Sequence, residues 1–435
     1  NKKEKPVSLK APKKEATYQS SREFKEAQAM IFLLDSDKTD PSLEDILNYS
    51  KSNTLEEAIV FLQKELSREK TLFELYENVD RPLIPYVEEM ERVGIKIDVK
   101  YFESLSKKYH VELTRLEQEI WQLAGREFLI TSPKQLGEVL YDELHLGDKI
   151  KKTAGGSRST NADMLESLRE GNPIIGKILE YREIQKLVST YVDPLPKFID
   201  SEDRVHTHYL HTGAATGRFA SKDPALQNIP IKTDHGMAIR KGFVAKEGYS
   251  LLSCDYSQIE LRCAAILSRD ENLLETFKRG EDSHASVASR VFSVPIDQVT
   301  KDQRRIAKVL NFGILYGMGV NALKANLQSD RKSAQEFFDA YKATFPTLMA
   351  YLEDVKIQAR KNGYTETLFG RRRQLKMLQS HLPFIRAQGE RMAINAPIQG
   401  TSADIMRIAL IDVGNALKNT GLNTYVIPLL QIHDE

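Results

Sequence analysis

The sequence predicts an α+β protein in which helices outnumber strands, and three observations predict it. Apolar residues recur at helical spacing over most of the 435 residues. Only a few short segments, such as VHTHYLHTG at 205–213, alternate as strands do. Two apolar runs, LLSCD at 251–255 and TYVIPLLQI at 424–432, have the length of buried strands and lead into carboxylates. No internal repeat competes with this reading.

Residues 1–21 carry much lysine and few large apolar side chains, so burial cannot offset the entropy of ordering and a disordered lead is expected. From Phe24 to Glu77 the spacing is helical, in a segment short for an independent domain. Pro82 and Pro85 punctuate the next boundary. Amphipathic helical runs are expected over 99–123 and 160–199, with the basic, glycine-containing loop KIKKTAGGSRSTN between them. LLSCD then reads as a buried strand ending at Asp255, after which SQIELRCAAILS turns helical. Helical period holds from Glu271 to Arg391, interrupted at Pro295, Pro346 and the turn at Gly370. A last helix near 403–417 leads into TYVIPLLQI, so a small sheet should carry both acidic strand ends.

The chain is long enough for about three domains and for a core that needs no cross-links. Its two cysteines, Cys254 and Cys263, point to a reducing, cytosolic-type compartment. No run approaches the ~18–20 apolar residues of a membrane span. Because the sequence starts at Asn1 rather than Met, a removed presequence, organelle targeting included, is compatible with it. With 62 basic and 61 acidic residues the net charge of +1 steers nothing, so any nucleic-acid role must come from local segregation of charge.

Chemistry concentrates in three places. In RRIAKVLNFGILYG, residues Arg304, Lys308, Phe312 and Tyr316 recur every fourth position, which drifts only about 40° per step and keeps all four on one side of a helix. Cations toward its N-terminal end and aromatics toward its C-terminal end suit a triphosphate followed by a sugar and base. An ordinary amphipathic helix has the same spacing, but the mid-helix Gly313 is better explained by a close-approaching ligand or neighbour. In SCDYSQIELR, Asp255 stands where a carboxylate could reach a hard cation, and Ser257 to Glu260 fits a capping box. In LLQIHDE, Asp434 would supply the second carboxylate of a two-metal phosphoryl-transfer site.

DYSQIELR, RRIAKVLNFGILYGMG and QIHDE resemble, in matching order, the three polymerase motifs of family A DNA polymerases, the bacterial DNA polymerase I type. TGRFASKDPALQNIP, ETLFGRRR and ERMAINAPIQGTSADI extend the likeness over about 80–435. The resemblance implies a right-hand architecture with a small antiparallel palm sheet, helical fingers and a helical thumb, preceded by a remnant of a 3′-5′ exonuclease-like domain. Its divisions would be 1–80 for lead and remnant, 81–103 for palm entry, 104–215 for thumb, 216–262 for palm, 263–389 for fingers with their helix over about 300–316, and 390–435 for palm.

The same likeness implies roles. Asp255 and Asp434 would hold two Mg²⁺ ions, Mn²⁺ being able to substitute, with the Tyr256 carbonyl assisting and Glu435 close by. Arg304 and Lys308, helped by His284, would neutralise the triphosphate, with Gln258 beside it. Phe312 would pack on sugar and base and, where some relatives carry tyrosine, discriminate against dideoxynucleotides; Tyr316 would guard the template position. Glu260 would fill the space a ribose 2′-hydroxyl needs. Arg218, Asn228, Arg391, Asn395 and Gln399 would line the primer-template duplex and His433 would touch the primer end. Lys151, Lys152 and Arg158, near the thumb tip, would hold phosphates. A monomer, cytoplasmic and nucleoid-associated, is the implied form.

The sequence departs from the family in two places. Before residue 80 the first acidic exonuclease motif is absent and Asn53 stands where a carboxylate is expected, so proofreading is not expected. The chain also stops at Glu435, where relatives continue; ending there, the strand bearing Asp434 would be unsupported and folding or activity weakened. A single-subunit RNA polymerase relative and a non-catalytic DNA-binding relative are the competing readings. His206, His208 and His211 lack cysteine partners and are read as structural rather than zinc-binding.

Overall fold

The computed structural model describes residues 21–147, 158–231 and 233–435, so the expected disordered lead and the loop lysines Lys151 and Lys152 lie outside the described residues. The described chain forms two compact units. One comprises residues up to 92, 208–222 and 253–435; the other comprises 93–207 and 223–252. The class is α+β, as expected: helices dominate, and among the described residues strands form three two-stranded antiparallel sheets.

The first unit begins with α1 (Arg22–Leu34), α2 (Leu43–Ser50), α3 (Leu55–Ser67) and α4 (Lys70–Leu75). Ser21, Ser42 and Thr54 each accept a backbone N–H at the start of a helix, which explains why the helices begin there. Phe24, Ile31, Leu62 and Tyr76 are among the side chains of their common core. A π-turn over Tyr76–Asp80 joins α4 to α5 (Arg81–Val93).

In the second unit β1 (Ile95–Lys96) leads into the long α6 (Val99–Ala124), capped by the Asp98 carboxylate and closed by Gly125. Phe102, Tyr109, Leu116 and Ile120 face inward along α6, which packs against α7 (Pro173–Leu187). The expected helix over 160–199 is therefore broken: a short turn covers Ala162–Ser167, α7 starts at its proline, and a π-turn ends it. β2 (Arg204–Val205) pairs with β1.

Back in the first unit, β3 (His208–Leu210) and β4 (Ala220–Lys222) form a hairpin with Tyr209 opposite Ser221. Tyr209 and Phe219 pack with Leu83, Val87 and Met90 of α5 and with Ile411. Next come α8 (Ile259–Ser268), α9 (Glu271–Lys278), α10 (Ser283–Phe292), α11 (Lys301–Leu315), α12 (Val320–Leu327), α13 (Arg331–Thr344) and α14 (Pro346–Asn362), built around one apolar core. The β5 (Tyr364–Glu366) and β6 (Arg372–Gln374) hairpin carries the Gly370 turn, and α15 (Pro383–Asn419) runs 37 residues.

Two strand expectations fail. Residues 251–256 and 425–432 form no ladder, and Leu252, Tyr425, Val426 and Ile427 are exposed rather than buried. An apolar run becomes a strand only where a neighbour pairs its backbone, and among the described residues neither run has one.

A buried charge network ties the first unit together. Arg407 on α15 donates to Asp80 of the π-turn at 2.6 Å and to the Gly217 carbonyl at 2.9 and 3.1 Å. It also donates to the His211 carbonyl at 2.5 Å and lies 4.6 Å over the Phe219 ring. Arg371 joins Asp404 at 2.6 Å and Asp80 at 3.1 Å. Gly217 has φ +84°, and a Cβ there would lie 2.9 Å from Arg371 Cδ, so a side chain is excluded on both counts. No helix among the described residues is long and apolar enough to cross a membrane.

Candidate active site

The two aspartates that lie 179 positions apart in sequence meet in the first unit. The Tyr256 N–H donates to the Asp434 carbonyl at 3.0 Å, which clamps the 255–256 segment to the turn at the other end of the chain. That turn is closed by Ile432 and Glu435, which exchange backbone hydrogen bonds of 2.8 and 2.9 Å, with His433 in the left-handed region at φ +55°. The Ser253 hydroxyl donates to the Glu435 carboxylate. Burial and the nearby Asp434 and Glu435 carboxylates all push the Asp255 carboxyl above its ordinary value, although the residue is exposed rather than at the end of a buried strand. Among the described residues no three or more acid, histidine or cysteine side chains already surround a common point.

Glu260, on the first turn of α8, is 5% exposed. The expected capping box does not form: Gln258, in the left-handed region at φ +55°, is the residue before the helix and makes no side-chain cap. Glu260 is spent elsewhere. Arg218 donates to its Oε1 at 2.5 Å and the Tyr316 hydroxyl donates to its Oε2. The same Arg218 nitrogen lies 3.4 Å from Asp434 Oδ1, so one guanidinium spans the Glu260 and Asp434 carboxylates. Burial, followed by the hydrogen bond to Glu260, pushes the Tyr316 phenol up and keeps it a donor.

Helix α11 covers Lys301–Leu315, capped by a Thr300–Gln303 box, with Tyr316 as its C-terminal cap. Arg304 and Lys308 are exposed. Arg304 is engaged by Asp282, which accepts from its Nε at 3.0 Å and Nη2 at 2.7 Å. Asp282 also caps α10, whose second residue is His284. The His284 ring meets Phe312 edge-on at 5.7 Å and its Nδ1 pairs with Asn311 Nδ2 at 3.1 Å. Burial pushes His284 below its usual value, opposed by the Asp282 carboxylate and helped by Arg304 and Lys308, which favours the neutral hydrogen-bonding ring over a third cation. If Asn311 donates to Nδ1, the proton resides on Nε2.

The mid-helix Gly313 has a reason inside the protein. A Cβ there would lie 2.8 Å from Met318 Sδ, so the glycine admits a neighbouring side chain, not a ligand. The Ser283 hydroxyl donates to the Gln258 side-chain oxygen. On α15, Arg391 is exposed, and Asn395 Nδ2 reaches Gln399 Oε1 at 3.4 Å while its own Oδ1 is buried without a partner. In the second unit Asn228 is exposed, and Arg158 pairs with Asp142 while stacking 5.0 Å over Tyr141. His206 pairs with Asp200 at 3.1 Å, and His211 is buried edge-on against Phe219. Sequence reasoning missed Asp282, whose position just ahead of the helical SHASVASRVF was the available signal.

Comparison with known proteins agrees with this geometry. The family described as DNA polymerase family A matches residues 99–435. The thermostable DNA polymerase I of Thermus aquaticus is 46% identical over 371 residues, covering 85% of this chain and 44% of that protein. DNA polymerase I of Pseudomonas aeruginosa is 44% identical over 376 residues, covering 86% of this chain and 41% of that protein. The chain thus spans less than half the length of these relatives. A solved structure, the POL domain of Pol1 from M. smegmatis in complex with DNA primer-template and dNTP, superposes with a TM-score of 0.86 at 38% identity, covering 94% of this chain and 74% of that one.

Proposed function

Since the chain belongs to DNA polymerase family A, we propose that it extends a primer 3′-OH on a DNA template, adding deoxynucleotides and releasing pyrophosphate. One observation carries the site: the Tyr256 to Asp434 backbone clamp, which gathers Asp255, Asp434 and Glu435 at the foot of α8. The donor set fits a divalent cation. It is all oxygen, Asp434 and Glu435 raise the proton affinity of Asp255, and it offers two aspartates rather than a closed cage, which suits Mg²⁺ that keeps water and substrate phosphate in its shell. Asp255 and Asp434, with the Tyr256 carbonyl, would hold it. When bound, the metal supplies Lewis-acid activation of the attacking oxygen and charge neutralisation on the phosphates.

The protein's own groups do the rest. Arg304 and Lys308 would bind the triphosphate, Arg304 exchanging the Asp282 carboxylate for phosphate oxygens of like geometry. Neutral His284 would donate one hydrogen bond to a phosphate oxygen, beside Gln258. Phe312 would pack on the sugar and disfavour dideoxynucleotides, and Tyr316 would hold the template position. Glu260, fixed by Arg218 and Tyr316, would occupy the space of a 2′-hydroxyl. Arg218, Asn228, Arg391, Asn395 and Gln399 would face the duplex, with His433 at the primer end and Arg158, Lys151 and Lys152 on phosphates. The functional division into thumb (104–215), palm (81–103, 216–262 and 390–435) and fingers (263–389) follows the chemistry each segment would serve. Residues 1–80 would not proofread, since Asn53 replaces a needed carboxylate.

Primer extension on a primed template with Mg²⁺ tests the reading. Extension with dNTPs, lost with EDTA and in Asp434→Ala, is expected. Equal use of rNTPs would favour an RNA polymerase instead, and extension untouched by Asp434→Ala would end the proposal.

A further inference from the structure

The turn that presents Asp434 is held by side-chain hydrogen bonds from Tyr209 and Gln431. Residues 425–430 pair with no strand among the described residues, and Val426 and Ile427 stand 44% and 40% exposed. Yet Gln431, immediately before the turn, is only 4% exposed. What meets it there is Tyr209 of β3. The Tyr209 hydroxyl accepts the Gln431 N–H at 2.8 Å and lies 3.4 Å from the Gln431 carbonyl, to which it donates. The Gln431 side-chain amide continues the chain of bonds, donating to the His433 carbonyl at 2.6 Å. One phenol and one amide therefore hold the backbone on both sides of Ile432, directly ahead of Asp434.

The other end of the tyrosine is anchored. Its ring is 5% exposed, packs with Leu83, Val87, Met90 and Ile411, and meets Phe219 edge-on at 6.0 Å. Its own N–H donates to Glu91 Oε1 at 2.7 Å, and Glu91 Oε2 is joined to Lys25 of α1 at 3.2 Å. Burial pushes the phenol up, so it remains an O–H donor and acceptor throughout the working pH range. A hydroxyl whose ring is set in a core and whose backbone is pinned to two helices has little freedom to follow a wandering turn.

We propose that Tyr209 and Gln431 are positioning residues for the metal-binding carboxylate Asp434, acting through the hydrogen bonds that hold the backbone ahead of it. The inference rests on the reading of Asp434 as a metal ligand. Neither side chain touches substrate; each acts through the backbone of the 431–435 turn. Loosening that turn should weaken cation binding and slow the chemical step while leaving nucleotide capture by α11 unchanged.

The test uses the whole chain with a dideoxy-terminated primer-template and dNTP, so that no turnover occurs, and reads Mn²⁺ binding by electron paramagnetic resonance. Single-nucleotide extension on a normal primer is measured in parallel. Tyr209→Phe should weaken Mn²⁺ binding about threefold or more and lower kcat about tenfold, with KM for dNTP unchanged. Gln431→Met, similar in volume but without the amide, should do the same and serves if the tyrosine variant does not fold. Val87→Ala, which opens the same core without touching the hydroxyl, should lower the melting temperature but keep Mn²⁺ binding. Wild-type Mn²⁺ binding in either positioning variant, or an equal loss in Val87→Ala, overturns the inference. Asp434→Asn that retains Mn²⁺ binding and extension would instead refute the assignment of Asp434 itself.

Discussion

Asp80→Asn is expected to loosen the first unit far more than any single surface change, because of how charge is balanced in its interior. Asp80, Arg371, Asp404 and Arg407 are all buried, with exposures of 3%, 3%, 0% and 1%. Two cations and two anions cancel. The two arginines are not equally secure. Burial alone would push Arg371 down, but Asp404 and Asp80 more than reverse it; burial takes Arg407 down to about 10, with Asp80 opposing and Arg371 adding to it. Removing the Asp80 charge leaves Arg371 its bond to Asp404, whereas Arg407 keeps the carbonyls of His211 and Gly217, the Phe219 ring and the more distant charge of Asp404, with no carboxylate bonded to it among the described residues. Leaving one buried charge uncompensated costs about 3–5 kcal/mol. Because the chain has two compact units, a single unfolding free energy is ill-defined, and amide hydrogen exchange is the better assay. Protected amides of α5, α15 and the 208–222 hairpin should exchange about a hundred to several thousand times faster. Glu89→Gln, which breaks the exposed 2.6 Å pair with Arg92, should leave them unchanged. An Asp80→Asn variant within about tenfold of wild type would refute the charge-balance argument.

Three further outcomes follow from the site. Glu260→Ala should raise the rNTP-to-dNTP incorporation ratio about a hundredfold by emptying the sugar gate; an unchanged ratio would remove Glu260 from that role. Asp282→Asn should release Arg304 and lower KM for dNTP about two- to fivefold at low salt, an advantage that fades as salt rises, and a raised KM would contradict the exchange of partners. His211 is held down to about 3 by burial, with Arg407 and Lys25 adding. A base depressed when folded leaves stability fully present above its unfolded value of 6.5 and lost progressively as pH falls toward 3, by up to about 1.4 kcal/mol per pH unit. Exchange protection of the hairpin should drop between pH 6.5 and 5 in the wild type, and a His211→Asn chain should be flatter.

The sequence was most legible where structure is written locally. The every-fourth-residue spacing of Arg304, Lys308, Phe312 and Tyr316 needs only helical geometry to be understood, and α11 has that geometry. Caps at Ser42, Thr54, Asp98 and Thr300 are likewise short-range chemistry. Reading failed where an outcome depends on distant partners. Glu260 satisfies a local capping pattern, but Arg218 and Tyr316, from remote segments, take both its oxygens and the cap is not made. Gly313 predicts a close-approaching ligand or neighbour; it is a neighbour, Met318, which spacing alone could not identify. LLSCD and TYVIPLLQI have strand composition, and composition cannot say whether a neighbour is present to pair with them.

The 208–222 hairpin shows how such distant terms combine. It has only three residues per strand, too little ladder to be stable alone. Its rigidity comes from outside: Glu91 fixes the Tyr209 amide, the α5 and α15 side chains enclose the Tyr209 and Phe219 rings, and Arg407 holds the Gly217 and His211 carbonyls. From this one braced element two groups reach the carboxylates, Arg218 to Glu260 and Asp434, and Tyr209 to the backbone ahead of Asp434. Arg218 follows Gly217 directly, so any play in the buried charge network is passed to the guanidinium one residue later. The N-terminal helices therefore bear on the site without a catalytic residue of their own: Asp80, from their π-turn, balances the arginine that fixes Gly217, and Lys25 pairs with the glutamate that fixes Tyr209. Deleting residues 1–80 would remove Asp80 and Lys25 together, and so loosen the hairpin that carries both Arg218 and Tyr209.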